Sequence, residues 1–158
     1  MRRKDRERDK AFAYDVIDHC EYGVAALAGG EEGPYCVPLS LVRVGDELFF
    51  HCALQGRKLE LLRADPRVCV TFVTGTQPTY IAEENNYTTF FRSAIVTGTA
   101  REVTDPAGKE AALRALCEKL MPDDMADFDK AVSRSLGVTG VWSIAIQEAV
   151  GKEKARKG

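Results

Sequence analysis

Hydrophobic positions along the first half of the chain alternate between helical and strand-like spacing. Between Asp9 and Cys20, the residues Phe12, Val16 and Ile17 recur on one side at helical spacing, which predicts a short amphipathic helix. Tyr22 to Ala28 then reads as a strand, and Gly29-Gly30-Glu31-Glu32-Gly33-Pro34 as a loop of turn formers. Tyr35 to Val44 reads as a second strand, joined by a tight Gly45-Asp46 connection to a third, Glu47 to His51. Pro38 has no N–H to give a ladder, so it belongs at a sheet edge or beside a bulge.

A short helix follows at about Gly56 to Ala64, with Leu59 and Leu62 inward, and Asp65-Pro66 stops it. Arg67 to Thr74 is a fourth strand, Gly75 to Asn86 a polar loop, and Tyr87 to Val103 a long fifth strand. Asp105-Pro106 supplies an N-cap with proline at the first helical position, and Leu113, Leu116, Cys117 and Leu120 form the buried stripe of that helix. Pro122-Asp123 breaks it, and a further helix is expected from about Asp124 to Leu136. Val141 to Val150 is the last strand, with Trp142, Ile144 and Ile146 on one face, and the basic tail Gly151 to Gly158 is expected to fray. The pattern predicts one α+β domain over residues 1–158. Its core would be a six-stranded antiparallel barrel with flanking helices, because hairpins favour antiparallel pairing and closure removes sheet edges.

Composition narrows the function classes. A net charge of -2 supplies no global attraction for nucleic acid or anionic lipid, and the basic tail has no interleaved aromatics, so neither nucleic acid nor membrane is expected as a partner. The charged segment Met1 to Lys10 is followed by no apolar export segment. Five cysteines, with no C-x-x-C pair and only His19 and His51 to help, suggest neither a structural metal nor a disulfide framework. Reduced thiols point to the cytoplasm. Phosphate-loop and nucleophile-elbow motifs are absent, and Thr97-Gly98-Thr99 lies in a strand rather than opening a helix.

The chemically informative segment runs from Phe49 to Lys58. An aromatic strand ends near His51, the chain turns, and a helix opens at Gly56 with Arg57 and Lys58 in its first turn. Cations there oppose the helix dipole. Two readings fit: a bound anion met by free backbone N–H groups, the Arg57 fork and the Lys58 point charge, or a solvated pair of surface cations. Arg92-Ser93 in the fifth strand could complete the same cage if that strand lay beside the third; otherwise Arg92 is an outward-facing strand residue.

Val37-Pro38-Leu39-Ser40, Phe50-His51-Cys52-Ala53 with Gly56-Arg57-Lys58, Asp65-Pro66-Arg67-Val68-Cys69 and Arg92-Ser93-Ala94-Ile95-Val96-Thr97-Gly98 together resemble the 5-nitroimidazole-resistance (Nim) reductase family. The segment Met1 to Arg6 and Gly151-Lys152 extend the likeness over nearly the whole chain. That family belongs to the pyridoxamine 5'-phosphate oxidase-like split β-barrels that bind FMN. The resemblance implies a homodimer with FMN at the interface, and a flavoprotein oxidoreductase that reduces a small molecule, a nitroaromatic being the suggested case. It places Pro38, Leu39 and Ser40 beside the flavin ring, and Phe50, His51, Cys52 and Ala53 along the ribityl chain. Arg57, Lys58, Arg92 and Ser93 would hold the phosphate, with Trp142 either reaching the ring or lying in the core. His51 would donate a proton or orient a substrate, or else simply hydrogen-bond the phosphate. The stretch Val141 to Glu148 lacks the histidine of the oxidases' substrate signature, which argues against vitamin B6 oxidation. The alternative is a flavin- or haem-binding protein without turnover.

Overall fold

The computed structural model describes residues 2–156; Met1 of the N-terminal motif and Lys157 and Gly158 of the tail lie outside the described residues. The elements are β1 (Glu7–Arg8), α1 (Lys10–His19), β2 (Gly23–Leu27), β3 (Tyr35–Leu39), β4 (Val42–Val44) and β5 (Glu47–Cys52). They continue with α2 (Arg57–Ala64), β6 (Arg67–Ile81), β7 (Asn86–Glu102), α3 (Pro106–Leu120), α4 (Phe128–Ser135) and β8 (Gly140–Lys154). All ladders are antiparallel, in the order β3-β2-β6-β7-β8-β5-β4, with β1 pairing β8.

The consecutive strands β3 and β4 stand at the two ends of this order, yet only Ser40 and Leu41 separate them. The sheet must therefore roll until its edges meet, and since no ladder joins β3 to β4, the roll stays split. β4 pairs only Glu47, Leu48 and Phe49, so the stretch from Phe50 to Cys52 has β8 as its one ladder neighbour. A slit thus opens between β3 and the second half of β5. Leu39 from one side of it and Phe50 from the other face a shared interior with Ala25, Leu27, Leu62, Val68 and Ile144.

Helices plug the two ends of the roll. Asp9 caps α1, its carboxylate accepting from the Phe12 N–H at 2.9 Å, and Ala13, Val16 and Ile17 are fully buried beneath it. At the opposite end α2 inserts Leu59 and Leu62. Asp105 caps α3, which packs with α4 on the outer face of the sheet through Val103, Leu113, Phe128, Val132 and Val141. Among the described residues no helix is long and apolar enough to cross a membrane.

The sheet has eight strands, not six. The chain leaves one sheet edge at Ser40-Leu41 and joins the other, so Tyr35 to Val44 is two strands whose hydrophobic alternation runs on unbroken. β1 is two charged residues paired with Lys152-Gly151 of β8. The expected loop from Gly75 to Asn86 is mostly a ribbon, in which residues 77–81 pair with residues 86–90 beyond a bulge after Thr74. Both faces of that ribbon meet solvent, so no core pattern marks it. Residues 151–154 of the expected frayed tail are paired in β8, and the helix expected from Asp124 begins as a 3-10 segment, Pro122–Asp127. Pro38 does lie on an edge strand.

One face of the sheet carries no helix. Pro38, Val24, Thr71, Ile95 and Val150 form a row across five strands, and Cys36, Ala26, Cys69 and Thr97 form the next. The first row contains no charge, the second ends on Glu148 of β8, and Val24, Val73 and Ile95 on this face are 39%, 55% and 41% exposed.

Candidate functional site

The mouth of the slit is built by the turn from β5 into α2. Gly56 sits at φ 129° and ψ 162°, a conformation that a side chain disfavours, and no side chain caps the helix it opens. The Leu59 and Glu60 N–H groups bond back to the Gly56 carbonyl, which leaves those of Arg57 and Lys58 without an intrahelical partner. The helix start therefore presents two free donors and two cations in one place.

The two cations differ. Arg57 points outward, 2.6 Å from the Glu32 carboxylate and 5.3 Å from the centre of the Tyr35 ring. Lys58 turns inward, half-buried over the Phe50 ring at 5.1 Å, and has no carboxylate partner among the described residues. Burial draws its pKa below the ordinary value, and the Cys52 thiol opposes that shift. Burial likewise pushes the Cys52 thiol up, against the pull of Lys58. Behind this pair Arg63 reaches the Glu102 carboxylate at 3.4 Å and lies 5.9 Å from the Trp142 ring. The Trp142 Nε1–H is buried with no acceptor among the described residues.

His51 and Ala53 are exposed at the slit, and the His51 side chain has no partner among the described residues. Phe50 and Trp142, 1% and 3% exposed, are core residues that back the site rather than line it. Leu39 is interior, while Pro38 and Ser40 are exposed along the other lip. Ser40 borders a 520 Å³ pocket with Glu21, Tyr22, Lys119 and Leu120.

Arg92 and Ser93 are elsewhere. β8 stands between β5 and β7, so the fifth predicted strand does not lie beside the third. Cys52 pairs Gly140 at one end of β8 and Arg92 pairs Glu153 thirteen residues on, a strand path of roughly 40 Å. Arg92 donates to Asp15 at 2.6 Å, lies 3.9 Å from Glu153 and stacks on Phe12 at 4.6 Å. That bond holds the Asp15 carboxyl below its ordinary range. Ser93 donates to the Lys152 carbonyl at 3.3 Å. A single cage of Arg57, Lys58, Arg92 and Ser93 within one chain is thus corrected: the last strand in sequence inserts between the two clusters. Sequence reasoning missed Glu32, Tyr35 and Lys119, because pairing across a loop or between helices leaves no local mark.

A rolled antiparallel sheet, split along one seam and with an uncapped cationic helix start at the seam's mouth, defines a split-barrel protein with a cationic slit. The chain belongs to the pyridoxamine 5'-phosphate oxidase family, whose sequence profile matches residues 9–153. No curated protein matches it at a comparable level. Among solved structures it is similar to a protein of Bacteroides thetaiotaomicron ascribed to 5-nitroimidazole antibiotic resistance, at 25% identity and TM-score 0.79, over 92% of this chain and 84% of that one. The flavocytochrome Anf3 of Azotobacter vinelandii shares the fold at 23% identity and TM-score 0.81, over 99% and 72% of the two chains. So does an FAD- and heme-binding protein of Mycobacterium smegmatis, at 22% identity and TM-score 0.80, over 96% and 74%.

Proposed function

We propose that the chain is an FMN-dependent reductase of a small electrophile, nitroaromatics included, acting as a homodimer. The observation that carries this reading is Lys58: a half-buried cation with no carboxylate partner among the described residues, beside the free N–H groups of Arg57 and Lys58. Leaving such a cation desolvated is costly unless an anion arrives. A phosphate monoester supplies the charge and the acceptors that this helix start lacks. The residues fit the group further, since Gly56 leaves open space beside the helix start.

In this reading Arg57 and Lys58 hold the phosphate, and the backbone from His51 to Ala53 follows the ribityl chain. Pro38, Leu39 and Ser40 border the ring. The exposed His51 imidazole is free to pass a proton from a ring nitrogen to the reduced substrate. FMN, when bound, supplies the hydride or electron transfer. The similarity to the Bacteroides protein supports a nitroaromatic as acceptor, and the two haem- and flavin-linked neighbours share only the fold. The uncharged row from Pro38 to Val150, with Val24, Val73 and Ile95 exposed on the same face, supports a second copy there, since an exposed apolar patch marks an interface and homodimers pair like faces.

The visible spectrum of the purified protein, with and without added FMN, is the first test; bound flavin is expected, and a haem band or no chromophore would overturn the cofactor assignment. Photoreduced protein mixed with a nitroaromatic is expected to reoxidise faster than with buffer under anaerobic conditions. Equal rates leave a flavin carrier without this activity.

A further inference from the structure

Lys58 has a counterpart at the other end of β3. Burial draws the pKa of Lys119, as it does that of Lys58, below the ordinary value. Lys119 lies in the last turn of α3, and its Nζ donates to the Ile17 carbonyl at 3.0 Å and the Leu41 carbonyl at 2.8 Å. An ammonium has three donors; no carboxylate among the described residues lies within ion-pairing distance of this one, and the Asp18 charge, engaged by Arg43, acts on it only from further off. Leu41 belongs to the crossover from β3 to β4, so Lys119 stands at the vertex where the slit closes.

The space beside it is built. Lys119, Ser40, Glu21, Tyr22 and Leu120 line the 520 Å³ pocket, and a 220 Å³ pocket sharing Glu21 and Tyr22 continues it past His19 to Val73 and Thr74. That groove ends at the edge of the helix-free sheet face, beside the exposed Val73, where a second copy would enclose it. At the far end of β3, Tyr35 lies under Arg57. From Tyr35 to Ser40 is five strand steps, roughly 16 Å, which matches the length of an extended phosphate, ribityl chain and flavin ring.

We propose that Lys119 anchors the electron-rich pyrimidine edge of the flavin, at the end of the slit opposite the phosphate. The inference rests on the FMN reading above and adds a function to it. When flavin takes up two electrons and one proton, its remaining negative charge resides at N1 and the adjacent C2 carbonyl. A cation at that edge binds the reduced ring more tightly than the oxidised one and raises the midpoint potential. Lys58 then sets whether the cofactor stays, and Lys119 sets its redox poise.

The test compares wild type, Lys119→Met and Lys119→Arg, each loaded with FMN, by dye-equilibrated photoreduction and by FMN titration. Lys119→Met is expected to lose about tenfold of the preference for reduced flavin, a fall of about 30 mV for two electrons. Oxidised FMN should bind it nearly as well as wild type, and Lys119→Arg should restore the potential. Riboflavin, which lacks the phosphate, should show the same fall, because the effect is at the ring. Should Lys119→Met fail to fold, Lys119→Gln keeps a donor for the Leu41 carbonyl and serves the same comparison. A wild-type potential in the charge-free variant overturns the inference alone, and a wild-type protein that takes up no FMN overturns the FMN reading together with it.

Discussion

At one end of the barrel Arg92 is engaged on every side: Asp15 accepts its hydrogen bond, Glu153 stands nearby, and Phe12 lies against its guanidinium plane. At the other end Lys58 sits half-buried on an aromatic ring with no carboxylate to meet it. Arg92 is a cation within a strand and Lys58 one at the start of a helix, and by sequence alone both are candidates for the same cage. The difference is what each does for the empty protein. Arg92 straps α1 to β7 and β8, so the folded chain already uses its charge. Lys58 costs the folded chain desolvation, against which the structure sets only its contact with the Phe50 ring; in the proposed reading an anion supplies the rest. An unpaired, partly buried cation is therefore a better sign of a ligand than a paired one of the same chemical type.

Replacing Lys58 breaks this comparison most strongly. Lys58→Met is expected to weaken FMN binding by about 1.5–3 kcal/mol, the range of a charge-assisted hydrogen bond, or roughly tenfold to over a hundredfold. The same change should stabilise the flavin-free protein, because an apolar side chain takes the place of a desolvated charge. The pH dependence follows from the sign of the shift. The folded-state pKa of Lys58 lies below its ordinary value of 10.5, so the unfolded chain binds that proton more tightly. The penalty is full below the folded pKa and disappears as pH rises through 10.5. Urea unfolding of both flavin-free proteins should show the variant ahead at neutral pH and the gap closed in alkali. A flavin-free variant less stable than wild type at neutral pH would make Lys58 a structural residue.

Much of this geometry was legible in the chain and some was not. Asp9, Asp105-Pro106 and the leucine pair Leu59 and Leu62 mark their helices locally, and the structure has those helices. Arg57 and Lys58 stood out because cations at a helix start oppose its dipole. What stayed hidden depends on sheet order. Nothing local says that β8, last in sequence, lies between β5 and β7, yet that insertion separates Arg92 from Lys58. The Ser40-Leu41 break is equally silent, since Leu41 and Val42 keep the hydrophobic run going while the chain changes sheet edge. Glu32 and Lys119 reach the site from a loop and a helix end, where acidic and basic residues are ordinary.

Arg92 offers the converse test. In Arg92→Leu the stacking on Phe12, worth about 0.5–1 kcal/mol, is exchanged for apolar contact, and the exposed ion pair with Asp15 adds little. A melting temperature lower by about 1–4 °C is expected for a chain of this size. Flavin affinity in the slit of the same chain should not change. The Asp15 carboxyl, held low by Arg92, contributes stability above its unfolded pKa and loses it as pH falls through the folded value. The difference between wild type and Arg92→Leu should therefore shrink in acid below the ordinary value of 3.8. A large loss of FMN from Arg92→Leu at unchanged stability would mean that the strap also touches cofactor.

Glu32 gives the smallest effect and the finest discrimination. Its carboxylate lies 2.6 Å from Arg57, on a loop where Gly30 and Gly33 both have positive φ. A phosphate that takes Arg57 must displace this carboxylate, so the exposed pair, worth about 0.2–1 kcal/mol, is subtracted from FMN binding. Glu32→Gln is expected to tighten FMN up to about fivefold and to leave riboflavin, which has no phosphate, unchanged. The gain should fade as salt rises, because both side chains are open to solvent, 45% and 73% exposed. If Glu32→Gln instead weakens FMN and riboflavin alike, the carboxylate is ordering the loop over the slit, and the contrast between a satisfied strap and a waiting site would rest on Lys58 alone.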